Sequence, residues 1–299
     1  MSPHLNLPNR VTLVEVSPRD GLQSESYFVP TDKKIALIER LVSVGVKRIE
    51  ATSFVSPKWV PQLADAEQVV AGITRYSDLV GFQGLVLNQK GYERVRHLGL
   101  IREIALVVAA SESVNHRNSN MTVGESMSQL TRIVRTAKAD GIRVRGTIGV
   151  AFVCPYEGRI PLERTLNLTG MFVESGCDEV ALADTIGQAM PDHVYELFSR
   201  VRERWPDIAV AGHFHDARQL ALTNIFAAMQ AGVGTFDCSV GGLGGCQFTK
   251  GAPGNVATEQ VVYMLSEMGI DTGINYSRLL DVAEFALDLT RPRIPRSSI

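Results

Sequence analysis

The chain has no long hydrophobic run, no excess of one charge and no C-x-x-C pair, and each absence removes a class of protein. Its longest uninterrupted apolar stretch, residues 104–110, falls well short of the roughly 20 residues that a membrane helix needs. The amino terminus, MSPHLNLPNR, shows neither the apolar core of a secretion signal nor an Arg-rich amphipathic pattern. A soluble, untargeted, cytoplasmic chain is therefore expected. Lys and Arg number 30 against 32 Asp and Glu, without runs of like charge. Such a surface gathers neither phosphate backbones nor anionic lipid, so nucleic acid and membranes are not expected partners. The 4 cysteines, Cys154, Cys177, Cys238 and Cys246, read as free thiols in a reducing compartment. No Pro- or Ser-rich linker marks a domain boundary, and the G-x-G-x-x-G phosphate turn of a doubly wound sheet is missing after the first strand, where the sequence reads SPRDGLQ.

What is present is an alternation. Short Val- and Ile-rich runs at 12–17, 48–54, 80–87, 103–110, 144–152, 179–185, 209–216 and 235–242 begin about 32 residues apart, a spacing that suits βα units. Between them lie helical patterns: Thr31 as a cap before Ile35, Ile38 and Leu41; a Thr122/Glu125 capping box; Pro191 at a first turn. Near-continuous apolar strands fit a parallel sheet covered on its outer face. Eight unbroken repeats predict a single (β/α)8 TIM barrel over about 11–270 with a helical extension from about 271 to 299; a doubly wound sheet is the alternative.

In such a barrel the reacting groups stand at the carboxyl ends of the strands. There the sequence places Arg19 and Asp20, Glu50, Asp184, and the pair His213 and His215 in H-F-H-D. Residues two apart on a strand share a face, so both imidazoles look one way while Phe214 packs outward. Burying two neighbouring imidazoles for packing alone is unusual, and the pair reads as metal ligands. Asp20 brings a carboxylate to the same rim, or simply forms a turn before Gly21. Glu50, central in RIEATSF, needs a cationic partner, and Arg19 is the obvious one. The glycine-rich segment at 241–255 reads as a mobile lid whose one reactive side chain is Cys246. Asn255 at its end is either a helix N-cap or a ligand. This mixture of oxygen and nitrogen donors suits Mg2+ or Mn2+, with Zn2+ also compatible.

The segments VEVSPRDGLQ (14–23), IEATSFVSPKWVPQLADAEQV (49–69), CPYEGRI (154–160), LADTIG (182–187), HFHD (213–216) and GGLGGCQFTKGAPGNVATEQVVYML (241–265) together resemble the 3-hydroxy-3-methylglutaryl-CoA lyase family. The resemblance runs over about 11–275. It implies a metal-dependent lyase on a TIM barrel with an Asp-Arg-Glu constellation. The ligands would be Asp20, His213, His215 and Asn255; Arg19 would stabilise an enolate, Glu50 would fix Arg19, and Cys246 would be the lid thiol. Asp184 and Gln23 would lie near the substrate. The implied reaction cleaves an acyl-CoA substrate to acetyl-CoA and acetoacetate, with Asp20 or His213 as base, in a homodimer serving leucine catabolism. After HFHD the chain reads ARQLALTN, where the family commonly continues differently, so the reaction class is fixed more tightly than the acyl group. Lyases for citramalyl-CoA or longer branched 3-hydroxyglutaryl-CoA thioesters would carry similar motifs. A carboligase joining acetyl-CoA to a 2-oxo acid shares the metal pair, but the Cys-bearing segment argues for a lyase. A metal-dependent hydrolase usually carries H-x-H on an early strand rather than the seventh. No S-K-L type ending occurs in RPRIPRSSI.

Overall fold

A computed structural model describes residues 7–245 and 254–290. Eight parallel strands close into a barrel: β1 Thr12–Glu15, β2 Arg48–Ser53, β3 Gly81–Val86, β4 Glu103–Ala109, β5 Arg143–Gly149, β6 Glu179–Asp184, β7 Ala209–Phe214 and β8 Thr235–Cys238. Each strand pairs with its sequence neighbours, and β1 pairs with both β2 and β8, which closes the ring. The TIM-barrel expectation holds. Closure leaves no sheet edge unpaired, and the connecting helices bury their apolar faces against the outside of the barrel.

The helices are α1 Thr31–Ser43, α2 Ala66–Ile73, α3 Gln89–Leu98, α4 Glu112–Ser119, α5 Val123–Ala139, α6 Leu162–Ser175, α7 Pro191–Arg204, α8 Ala221–Gln230, α9 Thr258–Glu267 and α10 Tyr276–Thr290. The capping box at Thr122 and Glu125 forms as expected, and Pro191 opens α7. Thr31 does not cap α1. It is already helical, and its hydroxyl donates to Asp65 Oδ2 at 2.7 Å while Pro30 takes the cap position. Phe214 points outward as expected, with its ring centroid 6.1 Å from Phe152 and 6.4 Å from Phe198. Among the described residues no helix is long and apolar enough to cross a membrane.

Every strand ends before its hydrophobic run does, and two stop three or more residues short. β5 stops at Gly149, before Val150 turns to φ 46° and a short antiparallel ribbon pairs Val153–Cys154 with Gly158–Arg159. β8 stops at Cys238, because Gly241 and Gly242 adopt φ 67° and 62°, a region that favours glycine and breaks the strand into a helical turn. The extension α10 lies on that turn: a Cβ on Gly241 would sit 2.9 Å from Leu287 Cγ. The barrel interior also holds charge. Arg145 is buried between Glu179 and Asp237, and Arg48 pairs with both Glu103 and Glu179.

Candidate functional site

After β1 the backbone makes a wide, π-helical turn over Ser17–Gly21, in which the Val16 carbonyl accepts from the N–H groups of Arg19, Asp20 and Gly21 at 3.1, 2.8 and 3.2 Å. Turns of this kind recur at functional sites because the extra residue swings side chains out of the helical pattern. Here Arg19 and Asp20, adjacent in sequence, face each other: Arg19 Nη1 donates to Asp20 Oδ1 at 2.6 Å. Arg19 Nε donates to Glu50 Oε2 on β2, also at 2.6 Å. Gln23, one turn on, donates to Asp20 Oδ1 at 2.7 Å. Burial opposes charge on both residues, but Glu50 and Asp20 hold Arg19 cationic. Despite its own burial, Asp20 is held well below the usual carboxylate range by Arg19, the two histidines and Asn255.

His213 is on β7, and His215 stands one residue beyond its end, with ring centroids 5.2 Å apart. The strand alternation is maintained past Phe214 because the His215 N–H donates to the Asp184 carbonyl at 3.2 Å and residue 215 bridges antiparallel to Asn255. His213 Nδ1 lies 3.0 Å from Asp237 Oδ2 on β8, the residue beside it in register. Burial lowers the basicity of His213, but Asp237 and Asp20 more than reverse this. His215 is pushed down to about 4 by burial and by His213, so it is a neutral imidazole at physiological pH. Its Nε2 lies 3.8 Å from Asp20 Oδ2.

Asn255 does not cap a helix. The cap position before α9 is Ala257, and residues 254–257 run extended between the ends of β7 and β8. Asp216 N–H donates to the Gly254 carbonyl at 2.8 Å, Val256 N–H to the Phe214 carbonyl at 3.1 Å, and Ser239 N–H to the Val256 carbonyl at 3.0 Å. This strand-like insertion sets Asn255 beside His215. Asn255 Nδ2 donates to Asp20 Oδ2 at 2.7 Å and to the Leu243 carbonyl at 3.1 Å. Close approach to this amide requires glycine at 244, where φ is 116° and a Cβ would fall 2.8 Å from Asn255 Nδ2.

Asp20, His213 and His215 each offer a ligand atom within 4.8 Å of the others, so these three could hold a metal ion. The donor set fits. His215 Nδ1 and Asn255 Oδ1 are buried without a hydrogen-bond partner, which is costly unless something else occupies them. A carboxylate, two imidazoles and an amide oxygen suit a hard or borderline divalent cation. Arg19 adds a fixed positive charge beside the cluster, where developing negative charge on a substrate oxygen would be stabilised.

The sequence pattern of the HMGL-like family matches residues 10–286. The chain belongs to the HMGL-like family. It is 44% identical over 278 residues to the mitochondrial hydroxymethylglutaryl-CoA lyase of Bos taurus, covering 93% of this chain and 85% of the relative. The HMG-CoA lyase of Brucella melitensis superposes with a TM-score of 0.91 at 46% identity, over 95% of this chain and 99% of that one. An HMG-CoA lyase of Acinetobacter baumannii, solved in complex with coenzyme A and 3-methylmalate, superposes with a TM-score of 0.89 at 39% identity, over 97% and 95% of the two chains.

Seven of the residues singled out in the sequence, Arg19, Asp20, Gln23, Glu50, His213, His215 and Asn255, form one connected cluster. Asp184 ends β6 as expected, but its two carboxylate oxygens accept from Gln188 and Ala189 N–H at 3.0 and 2.9 Å, closing its own turn. Burial pushes its pKa up to about 6. Cys246 lies outside the described residues. Sequence reading missed Asp237, the partner of His213, and Arg145 behind it, whose Nη2 lies 2.8 Å from Asp237 Oδ1. The available signal was a single charged residue within each of the runs 144–152 and 235–242.

Proposed function

We propose that the protein is a divalent-metal-dependent carbon–carbon lyase that cleaves 3-hydroxy-3-methylglutaryl-CoA to acetyl-CoA and acetoacetate. The observation that carries this reading is the joining of an Arg–Glu pair to a carboxylate–imidazole–amide cluster at one rim of the barrel. The lyase names of its relatives support it, and the coenzyme A bound to the Acinetobacter protein supports an acyl-CoA substrate. Asp20, His213, His215 and Asn255 would hold the cation, Mg2+ or Mn2+ in preference to Zn2+. When bound, it supplies a Lewis acid that acidifies a coordinated hydroxyl.

The residues of the chain then divide the work. Asp20 would take the hydroxyl proton rather than His213, whose Nδ1 is committed to Asp237. The transfer is transient, since Arg19 and Asn255 favour ionised Asp20. As the C2–C3 bond breaks, its electron pair passes to the thioester carbonyl as an enolate, which the Arg19 guanidinium stabilises while Glu50 fixes its plane. Cys246 delivers the proton that converts the enolate to acetyl-CoA.

The same reading makes the chain a single unit that works as a cytoplasmic homodimer in leucine catabolism. A panel of 3-hydroxyacyl-CoA thioesters, citramalyl-CoA among them, assayed with Mg2+, Mn2+ and chelator, tests it. Metal-dependent release of acetyl-CoA and acetoacetate is expected. Release of free CoA would replace the reading with a hydrolase, and condensation of acetyl-CoA with a 2-oxo acid without cleavage would replace it with a carboligase.

A further inference from the structure

Glu15, the last residue of β1, is completely buried, and its carboxylate gathers hydrogen bonds from three separate stretches of chain. Ser17 N–H donates to Oε1 at 3.0 Å, Val240 N–H donates to the same oxygen at 3.0 Å, and the Thr258 hydroxyl donates to Oε2 at 2.7 Å. Each donor belongs to a stretch that carries part of the site. Ser17 opens the wide turn of Arg19 and Asp20. Val240 opens the helical turn that leads to Leu243, whose carbonyl holds Asn255. Thr258 begins α9, directly after the extended segment containing Asn255. Among the described residues no basic side chain forms an ion pair with Glu15. Its lone pairs are satisfied by neutral donors, and burial pushes its pKa up to about 7 against their pull. A strand-end side chain needed only for packing would be apolar, because burying a carboxyl group costs several kcal/mol.

We propose that Glu15 is a positioning residue of the site, fixing the separation of Asp20 and Asn255 through Ser17, Val240 and Thr258 without itself touching substrate. The inference rests on the metal-site reading above and adds the element that sets the spacing of its ligands. Site groups need support of this kind, since small displacements of a ligand cost much of its affinity.

The test uses the full chain and Mn2+ as probe, with binding followed by titration calorimetry and amide exchange followed over 16–23 and 254–258. Glu15→Gln keeps all three contacts, its carbonyl oxygen accepting both N–H groups and its amide donating to the Thr258 hydroxyl; Mn2+ affinity and turnover should stay within about 3-fold of wild type. Glu15→Ala should weaken Mn2+ binding at least about 10-fold, speed exchange in both segments, and lower kcat far more than it changes KM. Thr258→Val removes one contact at an accommodating helix start and should weaken Mn2+ binding about 3-fold. Wild-type Mn2+ affinity in Thr258→Val, or in a folded Glu15→Ala, overturns the proposal, as does a loss in Glu15→Gln equal to that in Glu15→Ala. Wild-type protein that is inactive on 3-hydroxy-3-methylglutaryl-CoA, yet loses Mn2+ affinity on Glu15→Ala, would sink the substrate reading and keep this one.

Discussion

His213 Nδ1 sits 3.0 Å from Asp237 Oδ2 on the adjacent strand, and Asp237 is held in turn by Arg145, 2.8 Å from its other oxygen. The arrangement sets the histidine tautomer from behind. With Nδ1 carrying the hydrogen toward Asp237, Nε2 presents a lone pair, and the ring plane is fixed. Asp237→Ala is therefore expected to weaken Mn2+ binding about 10- to 100-fold. It also strips a partner from buried Arg145, at a cost of about 3 kcal/mol of stability. Calorimetry on the folded variant and a denaturant titration read the two effects separately. Unchanged Mn2+ affinity would mean that His213 is oriented by something else.

Arg19 is held at both ends of its guanidinium, by Glu50 and by Asp20, so its charge arrives at the site already oriented. Arg19→Gln should lower kcat by about 10² to 10³-fold, the scale for removing one donor to a developing oxyanion, with far-UV circular dichroism unchanged. Cys246→Ala should lower kcat by about 10²-fold, the scale for one proton-transfer group, and should leave Mn2+ binding intact. Near wild-type turnover by either variant would remove that residue from the mechanism.

The two orphaned buried atoms, His215 Nδ1 and Asn255 Oδ1, make the metal-free site a source of instability. Adding Mn2+ or Mg2+ to chelator-stripped protein should raise Tm progressively with cation concentration, as mass action requires for a ligand of the native state. Asp20→Asn, which removes the cluster's carboxylate, should abolish most of that rise. A Tm indifferent to both cations would leave the cluster without a resident metal.

The barrel was legible because a parallel strand covered on its outer face must be almost uniformly apolar, and eight such runs recur at one spacing. The site was legible wherever a residue's face follows from its own strand, as for His213 and His215, or wherever a buried carboxylate demanded a cation, as for Glu50 and Arg19. Asp237 and Arg145 were not, because their meaning depends on cross-strand register: a lone charge in TFDC or VRGTIG looks the same facing out or in. Asn255 could be read two ways because an extended segment followed by a helix starts with the same polar and glycine residues as a capped helix. For Asp184 the position at the end of β6 was legible, but the two backbone N–H groups that donate to its oxygens were not, because they come from a turn whose path the sequence does not specify.

Glu15 also makes stability depend on pH in a direction opposite to that of a salt-bridged carboxylate. Its pKa is about 7 in the folded protein against 4.5 for the free side chain, so the native state binds its proton more tightly than the unfolded state. Its contribution is fully present below about 4.5 and is lost as pH rises through 7, a span worth about 3 kcal/mol at the upper end. Asp184, raised from 3.8 to about 6, acts with the same sign over a lower range. Glu15→Gln keeps the neutral hydrogen-bonding shape at every pH and leaves Asp184 in place, so the difference between the two proteins isolates Glu15. The variant should match wild type in urea unfolding near pH 4.5, pull ahead between pH 5 and 7, and hold a constant lead above pH 8. A gap independent of pH would mean that Glu15 titrates near its ordinary value in the folded protein, with its three donors outweighing its burial.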